Sequence, residues 1–275
     1  MRSHTKRQNS SSLFRKHLIM PTEHGSWSWL LVPFAAGAGV SGDWNLSLFL
    51  TLTAGLAVFF MRQPATVWLR VQRGRARSSD GPLAASWILL LGLVAALSLA
   101  GLMALGRAAI LWMLIPLAAV FGLYLLASRS GRSGLRSLWM ELVGACALAL
   151  MAPAAMVAAA GDFSGHEWPL WGVLAAQNAL GALYVRLRIY DTHGKAINRP
   201  MIVIAHAALL LIVAAAGMMG TLPQTTYLPF LFFMLRAIWA ASAVRPVTNV
   251  KRFGFNEMGV EIVGGSWIAI SYWIA

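Results

Sequence analysis

The sequence predicts an all-α, polytopic membrane protein of about nine transmembrane helices, and three observations carry that prediction. Of the 275 residues, 59% are hydrophobic and only 11% are charged, against roughly 25% charged in an ordinary soluble domain. Apolar windows of roughly 20 residues, the length that crosses a hydrocarbon core of about 30 Å, recur along the chain. The basic residues fall between those windows, and on alternate joints. A water-soluble single domain is thereby excluded, and so are disordered and fibrous chains, which lack so many apolar residues or carry a short period. One cysteine, Cys146, leaves no room for a disulfide framework or a thiolate metal cluster.

Taken in order, the windows place spans near 25–42, 45–61, 82–104, 107–127, 137–160, 168–187, 200–220, 225–243 and 257–274. The joints between them are too short for a soluble domain, so the chain divides into a basic tail, 1–20, and a nine-helix domain, 21–275. Lys and Arg of short loops stay on the cytoplasmic side. Arg2, Lys6, Arg7, Arg15 and Lys16 precede span one; Arg62, Arg70, Arg73, Arg75 and Arg77 follow span two; Arg129, Arg132 and Arg136 follow span four. Arg186, Arg188, Lys195 and Arg199 follow span six, and Arg245, Lys251 and Arg252 follow span eight. Of the 22 Lys and Arg, all but Arg107 and Arg236 therefore fall on one side of a nine-span chain. A missed or invented span would scramble that asymmetry, which sets the amino terminus in the cytoplasm and the protein in the cytoplasmic membrane. Arg15 and Lys16 interrupt the first apolar stretch, so the tail does not read as a secretory signal. The net charge of +13 follows from these loops and from their attraction to anionic lipid head groups, not from nucleic acid.

An ionisable group inside a span costs about 2.5 to 3.5 kcal/mol at the helix centre, so each one asks for a function or a partner. Glu141, His206 and Glu261 stand about four to six residues into their spans, roughly 6 to 9 Å from the cytoplasmic end. Arg236 is about 10 Å from that end of span eight, and Gln177 and Asn178 sit deeper in span six. Arg62 with Arg70, and Arg186 with Arg188, mark the exits of spans two and six. Guanidinium groups there suit bidentate contact with phosphate or carboxylate. Glu23 and His24 open span one at the membrane surface; adjacent residues on a helix diverge by about 100°, so they are poor metal partners. Walker, dinucleotide, GxSxG, HExxH and acidic calcium motifs are missing. The set points to a cytoplasm-facing pocket, with Arg62, Arg70, Asn178, Arg186, Arg188 and Arg236 as ligand-binding candidates. Glu23, His24, Glu141 and Glu261 are candidates for proton or hydrogen-bond chemistry, and a pairing of Glu141 or Glu261 with Arg236 is the structural alternative.

Several of these motifs together resemble the YwiC-like family of bacterial membrane proteins: Pro21-x-Glu23-His24-Gly25-x-Trp27, Arg62-x-Pro64, Glu141-Leu142, Tyr184-Val185-Arg186-x-Arg188, and Gly254-x-x-x-Met258-Gly259-x-Glu261. More distantly, span count and motif placement resemble the UbiA-type intramembrane prenyltransferases. That second resemblance implies a nine-helix bundle with a cytoplasmic cavity for a prenyl diphosphate. The Asp-rich, magnesium-holding motifs of UbiA-type enzymes are replaced here by Arg62 and Arg70, and by Arg186 and Arg188. Arg at those places repels divalent cations and attracts the anion directly. The resulting expectation is a pocket for an anionic amphipathic ligand, a prenyl or lipid phosphate, with membrane lipids as neighbours and no assigned cofactor. A proton-coupled transporter and a non-catalytic assembly scaffold remain alternatives.

Overall fold

The computed structural model describes residues 26–129 and 137–275, and among these the regular structure is helical throughout. Ten α-helices follow one another: α1 (Ser26–Ser41), α2 (Leu46–Gln72), α3 (Gly81–Ala104), α4 (Leu114–Arg129), α5 (Leu138–Leu148), α6 (Met151–Ala160), α7 (Glu167–Thr192), α8 (Arg199–Met218), α9 (Tyr227–Ala241) and α10 (Val250–Trp273). Short 3-10 turns precede α3, α4 and α9. Helices α5 and α6 together occupy the fifth predicted span. The break between them has a local cause in Pro153, which has no N–H for the carbonyl four residues earlier and whose ring crowds that carbonyl. Asn198 and Asn249 start α8 and α10 by accepting from the backbone N–H of Met201 and Arg252, and Ser137 does the same for α5 through Met140. These caps satisfy donors that a helix start leaves open.

Three predicted spans are corrected in length. Helices α2 and α7 run on to Gln72 and Thr192, and α10 begins at Val250. Hydropathy falls where charged residues begin, but the backbone ladder does not need apolar side chains to continue. Arg62, Arg70, Arg186 and Arg188 consequently stand inside helices, not at their exits. Glu261 lies about 16 Å along α10 from Val250 at 1.5 Å per residue, near mid-helix and not one turn from its end. Four helical stretches are long and apolar enough to cross a membrane: Leu46–Gln72, Ser78–Ala104, Leu138–Ala160 and Arg199–Met218. The remaining predicted spans depart from that standard for visible reasons. α1 and α4 have 16 residues each and α9 has 15, which extend only about 22 to 24 Å. α7 and α10 interrupt their apolar sequence with the polar groups described below.

The described chain forms two compact units, one of residues 53–98 and the other of the remaining described residues. In the smaller unit, the outer part of α2 and most of α3 form a helical pair in which Val71 lies close to Gly81 and Met61 close to Gly92. Arg62 and Arg70 belong to this unit, on α2, and both are exposed. The larger unit is built around α7, which touches α1, α5, α6, α8, α9 and α10. Its inward positions Leu170, Leu174, Leu180 and Leu187 are fully buried against residues of those neighbours. Helix α1 packs on α6 at close range because Gly37 faces the Ala152 backbone, where any Cβ would collide. At the other end, Gly194 adopts φ +61° and closes α7, with Lys195 N–H donating to the Tyr190 carbonyl at 2.9 Å.

Candidate functional site

Polar residues on the helices around α7 gather into three groups. The first sits at mid-helix. Glu261 on α10 is 5% exposed, and one of its carboxylate oxygens accepts from Gln177 Nε2 on α7 at 2.7 Å. The same amide nitrogen donates to the Glu261 backbone carbonyl at 2.9 Å. The Trp29 indole N–H of α1 also donates to the Glu261 side chain. Gly181 makes this arrangement possible, since a Cβ there would run into Glu261 Oε1. Both donors holding the carboxyl are neutral, and among the described residues it enters no direct ion pair.

Beside Glu261 lies a small cavity of about 10 Å³, room for about one water, with Tyr184, His206, Phe233 and Arg236 among its walls. His206 of α8 is buried, and its Nδ1 is 2.8 Å from the Ile202 carbonyl. A carbonyl can only accept, so Nδ1 carries a proton and, in the neutral ring, Nε2 is an acceptor. Arg236 of α9 forms a two-oxygen ion pair with Glu257 of α10, at 2.6 and 2.7 Å, and stacks over the Tyr184 ring at 4.0 Å. Glu257 and Glu261 are four residues apart and share one face of α10. The alternative pairing of Arg236 with Glu141 or Glu261 is replaced by Glu257, a residue not singled out in the sequence because the predicted span nine starts there. The Glu257-x-x-x-Glu261 spacing was the signal that could have found it.

The second group lies toward the carboxyl end of α7. Arg186 pairs with Glu141 of α5 at 2.6 Å and donates to Tyr190 OH at 2.8 Å. Arg188 donates to the Arg245 carbonyl and to Tyr184 OH, and its guanidinium lies 5.3 to 5.9 Å from the rings of Tyr184, Trp239 and Phe253. Among the described residues it forms no ion pair. The third group is a latch. Asp191 pairs with Arg199 of α8 and accepts from the Arg245 backbone N–H at 2.9 Å, which ties the end of α7 to α8 and to the segment before α10.

Of the sequence-selected residues, Glu261 and Arg236 share the mid-helix pocket, whereas Glu141, Arg186 and Arg188 belong to the second group. Asn178 does neither: both its amide hydrogens are engaged, by the Trp29 and Ala145 carbonyls at 3.0 Å each, joining α1 to α5 through α7. Glu23 and His24 lie outside the described residues. Tyr184 and His206 complete the pocket's polar walls, and Gln177 holds the Glu261 carboxylate beside them. All three were visible as polar or aromatic residues in the sequence, but nothing in their spacing tied them to one another. Among the described residues no three His, Cys, Asp or Glu side chains converge as a metal site.

Residues 20–156 match the family model described as YwiC-like protein. The chain belongs to that family. The matched stretch covers about half of its length and ends within α6, and the pocket walls on α7, α8, α9 and α10 lie beyond it. No curated protein and no solved structure matches the chain.

Proposed function

We propose that this YwiC-like chain is an integral membrane protein that exchanges protons through the polar pocket at the middle of α7, α8, α9 and α10, in the manner of a proton-coupled carrier. The observation that carries this reading is the meeting of Glu261 and His206 in one pocket. These are the two side-chain types that most readily take up and release a proton within a dry bundle, and ionisable groups at membrane depth mark proton relays and ion pathways. Arg236 is already matched by Glu257, so the pocket walls hold no spare positive charge for an anion. Size points the same way. The cavity, about 10 Å³, is far below the roughly 300 to 1,000 Å³ of pockets that enclose drug-sized organic ligands, and a prenyl chain needs more.

Reconstitution into liposomes containing a pH-sensitive dye tests the proposal. An imposed potential should drive proton entry through the wild type, and Glu261→Gln, which keeps the side chain's size but removes its titration, should abolish it. Equal flux through the variant, or no flux above empty liposomes, refutes the reading.

The second reading, an anionic amphipathic ligand such as a prenyl or lipid phosphate handled by a UbiA-like protein, is favoured by a different observation. Arg188, framed by aromatic rings and without a carboxylate partner among the described residues, retains a charge that a phosphate could meet. Mass spectrometry of lipids carried through purification distinguishes the two: a stoichiometric phosphorylated isoprenoid, lost in Arg188→Ala, would place the ligand reading first.

A further inference from the structure

Three arginines outside the proton pocket gather at the carboxyl end of α9. Arg199 of α8 donates to the Ala240 and Ala243 carbonyls at 3.0 and 2.7 Å, Arg245 to the Trp239 carbonyl at 3.0 Å, and Arg188 of α7 to the Arg245 carbonyl at 3.1 Å. A helix end leaves such carbonyls open and carries partial negative charge, which cations offset. Three full charges exceed that need. Asp191 pairs with Arg199, and among the described residues no carboxylate pairs with Arg188 or Arg245. Glu257 reaches Arg188 only at longer range and is already matched by Arg236.

The two unmatched guanidinium groups share one indole. The Trp239 ring lies 4.1 Å from Arg245 and 5.3 Å from Arg188, yet Trp239 is 49% exposed. Arg188 Nη2 and Arg245 Nη1 have no hydrogen-bond partner among the described residues, and neither is sealed inside the bundle. Leu235 and Phe232 precede Trp239 by four and seven residues, so the three share one face of α9, and each is exposed. An apolar stripe thus leads along α9 to a pair of cations, joined by a tryptophan of the kind that sits at a membrane interface. A guest matching both parts has acyl chains for the stripe and a negative head for the guanidinium groups, whose planar forks favour phosphate oxygens. A free phosphate gains nothing from the stripe, and a zwitterionic head brings its own ammonium against two unpaired cations.

We propose that Arg188, Arg245 and Trp239 hold the phosphate of a bilayer phospholipid with a net negative head group, such as phosphatidylglycerol, with its chains along Leu235 and Phe232. This site takes from the proposed function only that the chain is embedded in a membrane, and requires neither proton exchange nor a bound isoprenoid.

Isothermal titration of the purified full-length protein in a nonionic detergent with dioctanoyl phosphatidylglycerol tests it. Saturable binding is expected, at least tenfold weaker with dioctanoyl phosphatidylcholine and absent with glycerol phosphate, which has the head but no chains. Arg245→Gln should weaken binding by about tenfold, the usual scale for one hydrogen bond to a charged group. Trp239→Ala, at an exposed position, supplies a second variant should Arg245→Gln fold poorly, and several-fold weakening is expected there. Arg75→Gln with Arg77→Gln, which removes two exposed charges from the other compact unit, should leave the affinity unchanged. No saturable binding, equal binding of phosphatidylcholine or glycerol phosphate, or wild-type affinity in a folded Arg245→Gln or Trp239→Ala would each overturn the proposal. So would an equal loss in the Arg75 and Arg77 variant, which would mean diffuse attraction to basic loops. Proton flux or a co-purified isoprenoid without phosphatidylglycerol binding defeats this inference alone; phosphatidylglycerol binding with neither of them defeats the functional readings alone.

Discussion

A charged side chain taken from water into a helix bundle must find either a counter-charge or a set of dipoles, and the two carboxylates of α10 illustrate the two solutions four residues apart. Glu257 takes the first, in a short two-oxygen pair with Arg236 whose side chains are 13% and 17% exposed. Breaking such a pair on one side is expensive, about 3 to 5 kcal/mol, because it strands the other charge, whereas replacing both by apolar residues is often near neutral. Glu257→Gln is therefore expected to lower the melting temperature in detergent well below wild type, and Arg236→Met with Glu257→Met to recover most of the loss. A double variant less stable than either single one would contradict the pairing as the main role of these residues. Glu261 takes the second solution, and this difference explains what sequence could and could not show. That Glu261 and Arg236 lie inside helices was legible from hydropathy alone. Their actual partners depend on the rotation of α9 and α10 about their axes and on Gly181 making room, and neither quantity is written in the composition of a span.

At the scale of the element, helix ends and crossings set where these groups stand. Helix α7 starts at Glu167, which is fully buried yet accepts from Ser164 N–H at 2.7 Å, Ser164 Oγ at 2.8 Å and Gly165 N–H at 2.8 Å. Burial alone would push its carboxyl up, but these hydrogen bonds outweigh it and hold the group below the ordinary carboxylate range. Folding thus favours the ionised form. Its contribution is present in full above the unfolded-state pKa and is lost as the pH falls through the lowered folded value. Glu167→Gln should reduce stability by about 1 to 3 kcal/mol at neutral pH, and its melting curve should converge toward that of the wild type in acid; parallel curves down to low pH would refute the assignment. The α1 and α6 crossing is equally specific. Gly37→Leu forces a side chain into the Ala152 backbone, where overpacking costs roughly 1 to 3 kcal/mol or more, so a clear drop in melting temperature is expected. Gly39→Ala, close to the Trp273 ring but not to backbone, serves as its mild control. In the sequence Gly37 is one glycine within an apolar span, and whether it meets a neighbouring backbone is decided by helix pairing.

For the molecule as a whole, the decisive quantity is how many times the chain crosses the bilayer. Four helical stretches meet the length and apolarity of a crossing on their own, while α1, α7, α9 and α10 are too short or too polar to do so unaided and are buried partly against each other. Helices of that kind cross a membrane when their neighbours satisfy the polar groups, and the mid-helix contacts among Trp29, Gln177 and Glu261 are of that sort. The charge asymmetry of the loops adds an independent constraint. If all nine predicted spans cross, the loops near Arg75 and Lys195 face the cytoplasm and the loop near Ser164 faces outward. Replacing Cys146, the single native cysteine, with Ser and introducing cysteines singly at 75, 164 and 195 turns this into a measurement. A membrane-impermeant maleimide added to intact cells should label position 164 alone, and positions 75 and 195 only after the membrane is opened. Labelling of 75 and 195 on opposite sides would mean that an odd number of crossings separates them. Should 195 be the position labelled from outside, Glu261, which follows it in the chain, would approach the opposite face of the membrane, and the proposed proton path would have to be drawn again from that side.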